Sequence, residues 1–336
     1  MFQQSALARL DPAGLKAWVI SDGTIGMEIQ SLALARAIGV EPLLKRVHPR
    51  FPWRVLPARA WLLPFLSLGP DSDALEAPWP DLVVGTGRMA AALSSAIRRA
   101  SGGRTFNVQM QAPHLPPERF DVIVVPEHDD YAAPNAITTL GSMHAVTAER
   151  LDGLRATWAP RFAHLKRPLV MAIVGGSNRR YHLDVEAATA LGRQLAPLTE
   201  EHGLAVVPSR RTGKAQETAI QQALATTDAY VWDGVSENPY LGLLSLADAI
   251  IVTPDSTNMA TEALATGKPV HIVPLPGRPG KFGVFHAMLE QRGYTRPFRG
   301  TIESWSYDPP NDTERVAALV RRKLAERLPL KAAGRM

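Results

Sequence analysis

Several stretches of this chain set small, hydroxyl-bearing or charged residues directly after a short apolar run, a pattern suited to holding an anion. The richest lies late. Residues 249–270 read Ala-Ile-Ile-Val-Thr-Pro-Asp-Ser-Thr-Asn-Met-Ala-Thr-Glu-Ala-Leu-Ala-Thr-Gly-Lys-Pro-Val. The β-branched run at 250–252 suits a buried parallel strand. Asp255, Ser256 and Thr257 are all candidate N-caps for a helix that Gly267 stops. A helix N-terminus presents N–H groups and partial positive charge, so Asp255, Ser256, Thr257 and Asn258 mark a turn able to hold a diphosphate. Glu262, within two turns, could reach back to a ribose hydroxyl. The same residues also describe an ordinary strand–helix–strand crossover with a polar cap.

Other stretches repeat the theme. Gly175, Gly176 and Ser177 follow the apolar run 168–174 and form a second amide-rich turn. Arg210 and Arg211 follow residues 204–208; adjacent arginines at a strand end suit a diphosphate, and a solvated pair is the plain alternative. Gly23 and Gly26 give a tight turn after residues 15–20, without the third glycine and later acid of a dinucleotide fingerprint. Arg88 follows a further glycine turn, where it could meet a phosphate or simply be solvated. Glu127, His128 and Asp129 end the run 120–126, as acid/base or orienting groups. Consecutive strand residues point to opposite faces, which argues against a metal there.

These residues need strands and helices to aim them. Apolar runs at 15–20, 80–85, 104–111 and 120–126 alternate with helical or turn segments, with residues 135–144 as loop. The pattern weakens over 151–167, read as the crossing between domains. It restarts with strands at 168–174, 204–208, 229–232 and 250–252, and with a strand beginning at 270–273. Val316, Leu319, Val320, Leu324 and Leu328 share one face of a closing helix. Two successive series of this kind predict an α/β fold of two doubly wound domains facing each other across a cleft.

Composition sets limits. The 336 residues suffice for two domains, and 46% hydrophobic with 21% charged residues is ordinary for a folded chain. There is no cysteine, so thiol catalysis, disulfides and cysteine metal sites are excluded. The first ten residues lack the basic-then-apolar order of a signal peptide, and no run is long enough to span a membrane. A net charge of +5 suits anionic substrates or surfaces and is too weak to argue for nucleic acid. Residues 49–66 alternate prolines, aromatics and arginines with no acid. That composition suits an anionic membrane surface; a packed connecting segment with Trp53, Trp61 and Phe65 in the core is the alternative.

Taken together, residues 22–30, 80–88, 173–177, 209–212 and 253–269 resemble the bacterial branch of the mitochondrial-fission ELM (elongated mitochondria) family. That family in turn is similar to GT-B glycosyltransferases, among them the N-acetylglucosaminyltransferase that makes lipid II and the lipid A disaccharide synthase. The resemblance implies two Rossmann-like domains: residues 1–160 on the acceptor side, residues 161–312 binding a nucleotide-sugar, and a helix at 313–336 packing back on the first. It implies that Gly175, Gly176 and Ser177 face the donor diphosphate, that Asp255 to Asn258 cap a helix facing the same group, and that Glu262 is the ribose acid. Gly23 to Gly26 would match the acceptor-side glycine loop. The lipid II enzyme has a histidine after its glycines, whereas Met27 and Glu28 stand here. Glu28, Glu127 and His128 are therefore the candidate bases. No Asp-x-Asp motif is present, so no metal is expected, and no cofactor beyond the nucleotide-sugar substrate.

Three functions follow as expectations. The first is a metal-independent glycosyltransferase acting on a lipid-linked or envelope acceptor, cytoplasmic and peripheral on the inner membrane face. The second is a non-catalytic adaptor, since eukaryotic members of the family are associated with recruiting a dynamin-related protein. The third is a nucleotide-sugar epimerase.

Overall fold

The computed structural model describes residues 12–327. The ten-residue start and Leu328 lie outside the described residues. The chain divides into two compact units: one runs through Ala145 and resumes at Asn311, and the other spans Val146–Pro310.

The first unit carries six strands, β1 (Ala17–Ser21), β2 (Leu43–Arg46), β3 (Leu82–Thr86), β4 (Phe106–Met110), β5 (Val122–Pro126) and β6 (Ala136–Thr139). They form one sheet in the order β2-β1-β3-β4-β5-β6, every pair parallel. Strands β1, β3 and β4 are buried along their whole length. The apolar runs of β1 and β3 suit a sheet covered on both faces, and the buried Asn107 and Gln109 side chains of β4 donate to the carbonyls of Arg119 and Gly87. Helices α1 (Ile25–Ile38) and α2 (Gly87–Ala100) supply part of that cover.

The second unit opens with helix α3 (Ala148–Trp158) and strand β7 (Leu169–Val174). Then follow α4 (Val185–Leu195), β8 (Gly203–Pro208), α5 (Lys214–Ala223), β9 (Tyr230–Val231), α6 (Tyr240–Leu246), β10 (Ala249–Val252), α7 (Thr257–Leu264), β11 (Val270–Ile272), α8 (Lys281–Gln291) and β12 (Thr295–Pro297). The sheet is again all parallel, in the order β12-β11-β10-β7-β8-β9. The last helix, α9 (Asp312–Arg327), belongs to the first unit. Its Val316, Ala317, Val320 and Leu324 are fully buried in one cluster with Leu34, Ala35 and Ile38 of α1.

Two sequence readings change. The stretch 151–167 is not a crossing between domains. Helix α3 packs inside the second unit, and the Trp158 ring leaves no room for a side chain at position 242: a Cβ there would lie 2.3 Å from it. The division therefore falls at 145 rather than 160. Residues 136–139, read as loop, are strand β6, and β2 and β12 also went unread. All three are short, partly exposed strands at or near sheet edges, where no continuous apolar run is needed.

Candidate functional site

In each sheet the strand order reverses at one place, between β1 and β3 in the first unit and between β7 and β10 in the second. Beyond the carboxyl ends of strands at such a reversal, the two loops part and leave a crevice for a ligand. In the second unit those loops are the ones that begin at Gly175 and Thr253.

There the backbone approach is very close. A Cβ on Gly175 would stand 2.0 Å from Asp255 Oδ1, and one on Gly176 would stand 1.9 Å from the Arg211 carbonyl oxygen. Only glycine fits at either position. Gly175 N–H donates to Thr253 Oγ1 at 2.7 Å, and Thr253 Oγ1 donates to Asp255 Oδ1 at 2.6 Å. Gly176 N–H donates to Asp255 Oδ2 at 3.0 Å, and Arg211 Nη2 donates to the same oxygen at 2.8 Å. The Asp255 side chain is wholly buried, whereas that of Arg211 is 46% exposed. Asn178 Nδ2 ties the Asp255 carbonyl at 3.0 Å, and Thr212 Oγ1 donates to the Gly175 carbonyl at 2.6 Å.

The remaining residues divide. Ser256 is the N-cap of α7 and accepts from Met259 N–H, so α7 begins at Thr257 with Asn258 in its first turn. The hydroxyl of Ser177 closes its own loop on Leu183, accepting from the Leu183 amide at 2.9 Å. Arg210 is exposed. Glu262 is half-buried and accepts from Tyr240 Oη at 2.6 Å. Burial raises its carboxyl above the usual range, against the opposing influence of Tyr240 and Arg150. A cavity of about 550 Å³ adjoins the ends of β10, β11 and β12, lined among others by Tyr181, Pro254, His286 and Phe298. His286 Nε2 lies 2.9 Å from the Pro254 carbonyl oxygen there.

In the first unit, Gly23 takes a left-handed φ of 82°, which favours glycine, and opens the turn before α1. Gly26 lies in the first turn of that helix. Glu28 is held by Arg46, with Oε1 to Nη2 at 2.9 Å and Oε2 to Nε at 3.1 Å, and accepts from Ser21 Oγ at 2.9 Å. The Arg46 hydrogen bonds hold its carboxyl below the usual carboxylate range, so it is poorly disposed to take a proton. Glu127 and His128 stand on a short 3₁₀ turn, Glu127–Asp129, directly after β5.

Arg88 is not open to a phosphate. Its Nη1 and Nη2 donate to the carbonyls of Leu56 and Arg54 at 2.5 and 2.6 Å. This braces the segment 49–66 against α2. Trp61 is buried there, and Trp53 and Phe65 pack on the core. Phe51, Val55, Leu62, Leu63 and Leu66 instead are 61–82% exposed, beside exposed Arg50, Arg54 and Arg59. These five are among eleven exposed large apolar side chains in the described residues, so the apolar surface is concentrated here.

Arg46, Thr253 and Tyr240 went unread as site partners. Each is joined to its partner by sheet topology or helix packing across 18, 78 and 22 residues. Thr253 alone left a signal, as the hydroxyl closing the β10 run. Among the described residues no group of three or more His, Asp or Glu could hold a metal ion, and no helix is long and apolar enough to cross a membrane.

Two α/β units with parallel sheets, each reversing at a glycine turn, define the GT-B-like class of fold. Residues 25–324 match the family described as Mitochondrial fission ELM1, and the chain belongs to that family. It is 32% identical over 277 residues to the mitochondrial fission protein ELM1 of Arabidopsis thaliana, covering 74% of this chain and 65% of that protein. The match thus spans less than two thirds of the plant protein's length. An uncharacterised protein of Rickettsia prowazekii is 25% identical over 354 aligned positions, covering 90% of this chain and 97% of its own. Among solved structures, the UDP-GlcNAc 2-epimerase of Methanocaldococcus jannaschii in complex with UDP-GlcNAc and UDP has a TM-score of 0.56 at 11% identity, covering 91% of this chain and 99% of that one. At that identity the likeness is one of fold.

Proposed function

We propose that this protein binds a nucleotide-sugar at the strand reversal of its second unit and transfers the sugar, without a metal, to an acceptor at a membrane surface. The observation that carries the reading is that the Gly175-Gly176 turn, Arg211 and the start of α7 meet at one sheet edge, held together around the Asp255 carboxylate. A glycosyl transfer must neutralise the departing diphosphate, and guanidinium and amide donors do so by preorganised charge. Arg210, Arg211 and the N-terminal turn of α7 would meet the diphosphate. Glu262, with Tyr240, would meet the ribose, and the neighbouring cavity gives the donor room. The M. jannaschii structure holds UDP-GlcNAc and UDP, which supports the ligand class.

The first unit would supply the acceptor side at Gly23 and Gly26. Glu127, His128 and Glu28 are its candidate bases, and the Arg46 hydrogen bonds that hold the Glu28 carboxyl low weaken Glu28 as a proton acceptor. Segment 49–66 would rest on anionic lipid, its leucines and Phe51 entering the interface and its arginines meeting headgroups. That would make the protein cytoplasmic and peripheral on the inner face. Thermal-shift titration against UDP-, GDP- and ADP-sugars tests the donor, with a saturable rise expected for one base. Co-sedimentation with anionic vesicles tests the surface: binding should fall for Leu62→Asp/Leu66→Asp, and equal binding by both forms would refute it. A second reading, nucleotide-sugar epimerisation, has the fold of the M. jannaschii enzyme in its favour. Conversion of a UDP-sugar with no acceptor present would select it.

A further inference from the structure

We propose that Asp255 is a resident anion: its carboxylate occupies the donors that a diphosphate would take and so sets the affinity of the site low. This deepens the reading that a diphosphate binds at the second unit's strand reversal. Asp255 Oδ2 receives one backbone amide, from Gly176, and one guanidinium N–H, from Arg211. That pair of donors is what a phosphate oxygen takes from an amide turn with an arginine beside it. Oδ1 is held by the Thr253 hydroxyl, which is itself fixed by the Gly175 amide. Gly175 is necessary for the carboxylate to stand there, since a Cβ on it would overlap Asp255, and Gly176 is necessary for the turn to approach the Arg211 backbone. The carboxylate is fully buried while Arg211 remains partly exposed, so the pair presents a guanidinium outward with its charge already balanced from beneath.

A diphosphate arriving at this edge has two ways to bind. It can displace the carboxylate from Gly176 and Arg211, or it can bind the outer face of Arg211 with a negative charge left behind it. Both lower its affinity relative to the same site with a neutral side chain. Asparagine has nearly the same shape and keeps an acceptor for the Gly176 amide, yet leaves the Arg211 charge unbalanced.

The test is isothermal titration of the wild type, Asp255→Asn and the smaller neutral Asp255→Ser with UDP, GDP, ADP and inorganic diphosphate, and with uridine as a ligand lacking phosphate. The neutral variants should bind the diphosphate ligands about tenfold more tightly, a change of one pKa-unit equivalent in charge interaction. The gain should grow at low salt, vanish in Asp255→Asn/Arg211→Met, and be absent for uridine. A variant that merely damaged the loop would bind more weakly, so tightening is not a structural by-product. Wild-type binding with no gain in either variant overturns the proposal and leaves the donor site standing. Failure of all three proteins to bind any diphosphate overturns both. Binding by the neutral variants alone supports the resident anion and contradicts use of the site by the native protein.

Discussion

Tyr240 Oη donates a hydrogen bond of 2.6 Å to Glu262 Oε2, joining the start of α6 to the second turn of α7. Burial pushes the phenol well up, with Glu262 beside it as the next cause. The phenol therefore stays protonated and remains a donor. Tyr240→Phe should lower stability by about 1–2 kcal/mol, the cost of leaving a half-buried carboxylate short of a donor. Chemical denaturation checks it, and unchanged stability would mean that the bond contributes nothing.

The Glu28–Arg46 pair makes a different prediction. Its folded carboxyl titrates below the ordinary value of 4.5, so the stability it adds is present above that pH and lost as pH falls through the folded value. Glu28→Gln should cost about 1 kcal/mol at pH 7, and the gap between variant and wild type should close in acid. If transfer is measurable, loss of activity in Glu28→Gln should be far smaller than in His128→Asn or Glu127→Gln. The reverse order would restore Glu28 as base.

His271 is completely buried and sits edge-on to Phe298 and Trp305. The Glu303 amide donates to its Nε2, so the ring is held neutral there. Burial lowers its folded value below the ordinary 6.5, so the unfolded chain takes up the proton first and stability falls as pH drops below about 6.5. Denaturant midpoints at pH 7.5 and 5.5 should show a smaller drop for His271→Gln than for the wild type. Equal drops would exclude His271 as a source.

Gly242 lies against the Trp158 ring, and an added Cβ would stand 2.3 Å from it. Gly242→Ala should destabilise the second unit by about 1–3 kcal/mol through overpacking. A variant as stable as the wild type would mean that α3 is not seated on α6.

The buried strands were legible because two-sided burial demands uninterrupted apolar runs, as in β7, β8 and β10. The glycine turns and the α7 cap were legible because local backbone chemistry dictates them. What the sequence concealed were interactions between distant positions. Arg211 and Asp255 were both read as groups facing a ligand, yet they face each other across 44 residues. Arg88 was read as a solvated arginine or a phosphate contact and instead braces residues 54–56. Of the two readings of 49–66, Trp53, Trp61 and Phe65 follow the packed one, while Phe51, Leu62, Leu63 and Leu66 face outward.

The proposed transfer begins with a nucleotide-sugar bound at the second unit's strand reversal. Amide chemical-shift mapping of the isotopically labelled protein, titrated with UDP-, GDP- and ADP-sugars, tests it most directly. Saturable shifts are expected, for one of them, at Gly175, Gly176, Ser177, Arg211 and residues 256–258. No saturable shift at millimolar concentrations, or shifts confined to other residues, would contradict it.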